Sequence, residues 1–372
     1  MTAVLTKVTV PTVTLRDLVS RAAKGSTNVD LIPMSSLMQV KVSSGKMSVK
    51  TTDNVNYLTA FADVECEDFE MVVQSKIFSQ TVSKLTSVDT TFVIEGSKVT
   101  IEANGKYNIK TITDASGNPI QFKELEIVPS GSAKHLKAEE VKSILSLSKS
   151  CKAEKNEVPA IVGNYYADAN GILTTNYYKA CSNPIVLSDV PVLISSTVMD
   201  LVSSVVDESG VDVYSGTADG DAYIVFESTS GKLVGRKVSE ISDYPAADLS
   251  GLISNPLASS VNMNRTMFIQ AVDRMCLFVD TYEENKLTLT FTADGLQLYS
   301  SKTESSEIIN YISIGTPISE AVSFSVNGLF LKHELTACDK EDITVRFSNE
   351  VGLQIICGNT VLMLGLLNDT EE

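Results

Sequence analysis

GKMSVKTTDNVNYLTAFADV (45–64), GILTTNYYKAC (171–181) and GLQLYSSKTESSEIINYI (295–312) repeat one local event. Each begins with a glycine at a tight turn, announced by SSG, ANG or ADG, and continues as an extended β-rich run. Gly45, Gly171 and Gly295 lie 126 and 124 residues apart, and one third of the 372-residue chain is 124. Self-similarity at that period predicts a domain present three times.

Helical patterns flank each turn in the same order. Segment 14–24 places Leu15, Leu18, Val19 and Ala22 at i, i+3, i+4 and i+7, with Gly25 as C-cap. Its counterparts are 138–149, with Val141, Ile144, Leu145 and Ser148 on one face, and 264–279, with Phe268, Val272, Met275 and Val279. A second helix follows at 75–87, 196–207 and 327–337, starting from the N-cap types Ser, Ser and Asn. Strands then return in TTFVIEGSKVTIEANGKYNIKTI (90–112), VDVYSGTADGDAYIVFESTSGKLVGRKV (211–238) and DITVRFSNEVGLQIICGNTVLMLGLL (342–367). The pattern is an α+β domain, helix-strands-helix-strands, repeated at 1–128, 129–252 and 253–372. VPSGSAKH (128–135) and LSGLISNPL (249–257) read as short linkers.

Composition removes several function classes. With 30 Lys/Arg against 46 Asp/Glu the net charge is -16, which excludes an all-over basic coat. No run approaches the roughly 18 apolar residues of a membrane span, and MTAVLTKVTVPTVTL alternates rather than forming a signal-peptide core, so a soluble intracellular protein is expected. Six cysteines without C-x-x-C spacing read as small buried hydrophobes, with no disulfide framework. The Gly-Lys pairs at Gly45, Gly105 and Gly231 continue as Met47, Tyr107 and Leu233, which is no phosphate-binding loop, and neither G-x-G-x-x-G nor G-x-S-x-G occurs. Two histidines, His135 and His333, leave little material for a metal site or a general base, and acidic pairs such as Glu139-Glu140 are sequence neighbours rather than convergent ligands. The expectation is a protein that is not an enzyme and holds neither metal nor cofactor.

Charge summed by element is less uniform. Taken over 14–25, 75–87, 137–152, 196–208, 264–280 and 327–341, the six helical segments carry 13 Lys/Arg and 11 Asp/Glu, a net of +2, and the remainder carries -18. The first three hold Arg16, Arg21, Lys24, Lys76, Lys84, Lys137, Lys142, Lys149 and Lys152 against three acids, and the last pair adds Arg265, Arg274 and Lys332. The fourth helix has Asp200, Asp207 and Glu208 and no base. This segregation fits a DNA-facing helix surface on an acidic body; its plainer reading is the solvated face of amphipathic helices.

At whole-chain level the sequence resembles the bacterial-type DNA polymerase sliding clamp, the beta-subunit family of the replicative polymerase. The resemblance is carried by LIPMSSLMQVKVSSGKMSVKTTDNVNYLTAFADV (31–64), SKIFSQTVSKLTS (75–87), ISDYPAADL (241–249) and VSFSVNGLFLKHEL (322–335). It implies three equivalent domains and a head-to-tail homodimer closing a six-domain ring, helices lining the hole and sheets outside. Spheres of 124 residues, roughly 35 Å across, leave a hole of about one diameter when six form a hexagon, wider than a duplex. The family's function would follow: a processivity factor around double-stranded DNA, independent of base sequence, tethering DNA polymerase, placed by a clamp loader, in the cytoplasm of a bacterial or phage-infected cell. The family's partner-peptide cleft falls by position on Ile161, Thr174, Tyr178, Pro245, Val361 and Met363. Thr174-Thr175-Asn176-Tyr177-Tyr178 and Met363-Leu364-Gly365 depart from the family's patterns there, and the acidic tail 368–372 is added, placed to cover the cleft. The competing reading is a nonenzymatic structural β-rich repeat protein of a virion or cell surface.

Overall fold

Alternation along KVTV sends Val8 and Val10 to one side, and the strand they form, Leu5–Pro11, pairs antiparallel with Asp89–Glu95, Val8 opposite Phe92. The computed structural model describes residues 5–27, 33–154, 159–314 and 318–367; the tail 368–372 lies outside them. A helix, Thr12–Ala22, follows that strand and buries Leu15, Leu18, Val19 and Ala22, the face its periodicity predicts. The same order returns twice, with Val128–Leu136 leading into Ala138–Ser143 and Ser259–Asn264 into Arg265–Met275. Each repeat thus opens with a strand that the helix-first reading missed. Second helices occupy Ser75–Ser83, Ser196–Val202 and Gly328–Ala337. Asn327 caps the last, its side chain accepting from the Phe330 N–H, whereas Gln74 rather than Ser75 stands at the N-cap of the first and makes no side-chain capping bond.

The chain divides into two compact units, Met1–Val141 with Thr197–Lys237, and Lys142–Ser196 with Val238–Glu372. The first holds a four-stranded sheet in the order Leu5–Pro11, Asp89–Glu95, Lys98–Glu102, Lys106–Lys110. Its eight-stranded sheet crosses from the first repeat to the second where Tyr57–Asp63 pairs with Gly231–Arg236, Leu58 opposite Leu233. The second unit repeats the device. Its nine-stranded sheet crosses from the second repeat to the third where Lys179–Asn183 pairs with Thr360–Gly365, Ala180 opposite Met363. Its four-stranded sheet runs Ser305–Ile309, Gly295–Ser300, Lys286–Thr292, Val322–Asn327.

Each unit has its own main core. In the first, Leu15, Leu18, Phe78 and Phe92 are fully buried. In the second, Phe268, Phe291 and Phe347 are, with the rings of Phe291 and Phe347 stacked at 3.7 Å. Each such side chain contributes roughly 1.5–3 kcal/mol by leaving water.

Both expected linkers are ordered elements. Val128–Leu136 is a strand, held by Val211–Ala218 with a register shift between Val213 and Ser215. Ala246–Ser254 is a helix, because Leu249 and Ile253, four residues apart, bury on one face while Gly251 meets only open space. The helix expected over 138–149 opens into a π turn at Ile144–Ser148 before Lys149–Cys151. Thr174 Oγ1 takes the Ser148 carbonyl at 2.6 Å and Lys179 Nζ takes that of Ser150 at 2.5 Å, so side chains from distant strands satisfy carbonyls in and after the loosened turn. The cysteines also differ from expectation: Cys338 and Cys357 form a disulfide, while Cys66, Cys151, Cys181 and Cys276 are free. Nineteen residues separate the bonded pair, and only the fold brings the end of a helix to the end of a strand.

Candidate functional site

Three of the six predicted cleft residues meet around Tyr244. Its ring stacks on Tyr166 at 5.5 Å and its hydroxyl donates to the Leu173 carbonyl at 3.1 Å; burial pushes the phenol well above its usual range. Met363 is buried in the same cluster, and Ile161 and Val361 pack half-buried against it. Pro245 stands at the N-cap of Ala246–Ser254, the helix whose Leu249 and Ile253 fill the cluster from within the chain. Thr174 is fully buried.

Tyr178 turns elsewhere. It is 59 % exposed, its ring lies 6.4 Å from that of Phe330, and with Glu284, Asn327, Phe330, Leu364, Gly365, Leu366 and Leu367 it lines an apolar cavity of about 230 Å³. The walls are tied: Gly365 N–H donates to the Tyr178 carbonyl at 2.8 Å, Asn327 Nδ2 to that of Glu284 at 2.6 Å, and Leu367 N–H to that of Ser325 at 2.9 Å. Sequence reasoning missed Phe330, Leu364, Leu366 and Leu367; the apolar run Val361–Leu367 carrying on past its strand was the available signal.

A polar set adjoins this wall, with Lys179 and Glu334 buried and His333 exposed. Lys179 Nζ sits 4.7 Å from the Phe330 ring centre and 3.4 Å from His333 Nδ1, where a neutral imidazole accepts. Desolvation, then the Lys179 charge, holds His333 below the ordinary histidine range. Glu334 is fully buried, accepts from Cys151 Sγ at 3.5 Å, and is pushed well up by burial toward its neutral acid. His135, in the other unit, lies between Asp212 Oδ1 and the Ser209 carbonyl, each at 2.8 Å. Among the described residues no group of three or more His, Cys, Asp or Glu side chains converges as a metal site, and no helix is long and apolar enough to cross a membrane.

The twelve predicted DNA-facing cations separate by environment. Arg16 on the first helix, Lys24 in the 3-10 turn Ala23–Gly25 that follows it, and Lys76 and Lys84 around the second are exposed, and these two helices pack together. Lys137, Lys142 and Lys149 are exposed too. Arg21 is different: its guanidinium pairs with Asp17 at 2.8 Å and donates to the carbonyls of Ser230 (2.8 Å), Ser204 (3.3 Å) and Phe61 (3.4 Å). Lys152 is buried and donates to the Ala153 carbonyl, and Arg265 donates to those of Lys340 and Leu335. Arg274 pairs with Glu307 and Lys332 with Asp273, both at partly exposed positions.

No family model and no curated protein matches this sequence. Solved structures match it along its length. The DNA polymerase III beta subunit of Thermotoga maritima superposes with a TM-score of 0.81 at 16% identity, covering 99% of this chain and 100% of that one. The DnaN sliding clamp of Pseudomonas aeruginosa gives 0.82 at 13%, covering 98% and 99%. The fold is that of the sliding clamp. The beta subunit of Streptococcus pyogenes DNA polymerase agrees, at 0.80 and 14% over 98% and 100%. At these identities the side chains have largely been replaced while the clamp's three-repeat framework persists.

Proposed function

We propose that this chain is a sliding clamp: two copies close head to tail around duplex DNA, and the ring tethers a polymerase without chemistry of its own. The observation that carries the reading is a pair of matching open edges. Repeats join in sequence by one rule, the fourth strand of one four-stranded set against the fourth of another, at Tyr57–Asp63 with Gly231–Arg236 and at Lys179–Asn183 with Thr360–Gly365. By the same rule Lys106–Lys110 of the first repeat and Ser305–Ile309 of the third are partners, yet each ends its sheet. One chain cannot satisfy both through a second copy unless the contact is heterologous, and such contacts close at two copies when each adds half a turn. Lys106 and Lys110 lie on one edge and Glu304 and Glu307 on or beside the other, opposite charges that would meet across such a contact, although within the chain Lys106 already pairs with Glu102 and Glu307 with Arg274. Exposed Ile308 on the second edge, and Leu277 at the end of the helix packed on that edge, add apolar area.

Exposed cations on the helices, among them Arg16, Lys24, Lys76, Lys84, Lys142 and Lys149, would meet phosphate without reading bases. The open cavity beside Tyr178, rather than the filled cluster around Tyr244, would receive partner peptides. Light scattering over a concentration range tests the assembly: a plateau near twice 40.1 kDa is expected. Mass that keeps growing with concentration would contradict closure and favour the structural-protein reading.

A further inference from the structure

The apolar cavity does not end at Leu367. It shares Tyr178, Glu284, Leu366 and Leu367 with a second, wider cavity of about 490 Å³, whose other lining residues are Tyr282, Glu283, Lys286 and Ser301. The lining thus changes along one groove, from Phe330, Leu364 and Leu366 to an aromatic and acidic end, where Tyr282 is 96 % exposed. Glu283 accepts from Ser301 at 3.1 Å and Glu284 is exposed, with Lys286 the one cation among the described lining residues. The loops that present this end are held in costly backbone states. Glu284 and Asn285 lie at φ 52° and 58°, and Tyr177, beside Tyr178, at 73°, the left-handed region that side chains with a Cβ avoid. Asn285 N–H on the Asp280 carbonyl (2.7 Å) and Gly328 N–H on the Asn285 carbonyl (2.9 Å) pin the turn.

The geometry points to a two-part peptide site: the apolar cavity takes one or two large apolar side chains, and the acidic extension takes a lysine or arginine a few residues along the same peptide. This rests on the peptide-docking reading and adds to it a charge requirement. Two carboxylates at the rim of an apolar groove attract a cationic side chain whose aliphatic stem lies on Tyr282 and Tyr178. The chain's own tail, Asn-Asp-Thr-Glu-Glu, has no apolar side chain to serve as anchor and carries the wrong charge.

The test uses fluorescence anisotropy with the full chain and three labelled twelve-residue peptides: a Leu-Phe anchor flanked by two arginines, the same anchor flanked by two glutamates, and the arginine peptide with the anchor changed to Ala-Ala. The arginine peptide is expected to bind at least about fivefold tighter than the glutamate peptide, a coupling near 1 kcal/mol. That preference should collapse in Glu283→Gln/Glu284→Gln and survive in Glu65→Gln/Glu67→Gln, which removes equal charge from an exposed loop in the other unit. Equal binding of the two anchored peptides, or a preference unchanged by Glu283→Gln/Glu284→Gln, overturns the charge requirement while leaving peptide docking intact. Binding of the Ala-Ala peptide as tight as its parent, or of none of the three, overturns the docking reading itself.

Discussion

Arg21 shows how one residue can look like a ligand contact and act as a joint. By sequence it belongs to a basic helix face; in the fold it holds carbonyls from Phe61 in the first repeat and from Ser204 and Ser230 in the second. Arg21→Ala leaves part-buried carbonyls without that donor, and the expected loss is about 1–3 kcal/mol in urea unfolding. Lys24→Ala, from an exposed position, should stay within about 0.5 kcal/mol of wild type; equal effects would refute the distinction. Met363, 3 % exposed, is likewise a core residue, so a charge there tests folding rather than docking. His135 supplies a pH dependence. Its hydrogen bond to Asp212, then that to the Ser209 carbonyl, raises its pKa above the ordinary 6.5. Its stabilisation is therefore complete below about 6.5 and lost as pH climbs through the raised folded value. Thermal melts of wild type against His135→Gln should differ most at or below pH 6 and converge above pH 8; a constant difference would contradict the charged pairing.

At the scale of elements, the turn glycines were the clearest signal, and at two of the three, Gly171 and Gly295, a Cβ would overlap a backbone carbonyl oxygen. Gly171 has φ +125°, and a Cβ there would lie 2.2 Å from the Asn183 carbonyl oxygen. Gly171→Ala should cost at least about 2 kcal/mol, read by denaturant unfolding, through both backbone strain and that clash; a loss under 0.5 kcal/mol would show that the hairpin relaxes freely. Helix faces were legible too, since Leu15, Leu18 and Val19 or Phe268, Val272 and Met275 need only local periodicity. What stayed hidden depends on distant groups. The π turn answers to Thr174 and Lys179, the helix at Ala246–Ser254 to an apolar cluster gathered from several strands, and the Cys338–Cys357 bond to a helix end meeting a strand end. The cleft reading grouped Ile161, Val361 and Met363, which the fold gathers in one apolar cluster, but could not see that Leu249 and Ile253 fill that cluster, or that Tyr178 faces Phe330 instead.

For the whole molecule, a threefold period in the sequence becomes two internal sheet junctions and, among the described residues, two unpaired edges of the same kind. Assembly through those edges predicts that Leu277→Asp, which places a charge at a residue 78 % exposed, lowers the solution mass toward 40.1 kDa while the circular dichroism spectrum of the folded chain is unchanged. A variant that keeps the wild-type mass would remove the helix end from the interface. Linkage to DNA can be examined without a loader, because rings thread onto free ends: the protein is mixed with linear duplex, the DNA is circularised by ligase, and the product is washed in high salt. A clamp predicts that protein stays only on the circles and leaves when one cut reopens them. Equal salt-resistant retention on uncut linear DNA, or none on circles from a chain that is dimeric in solution, would contradict the ring.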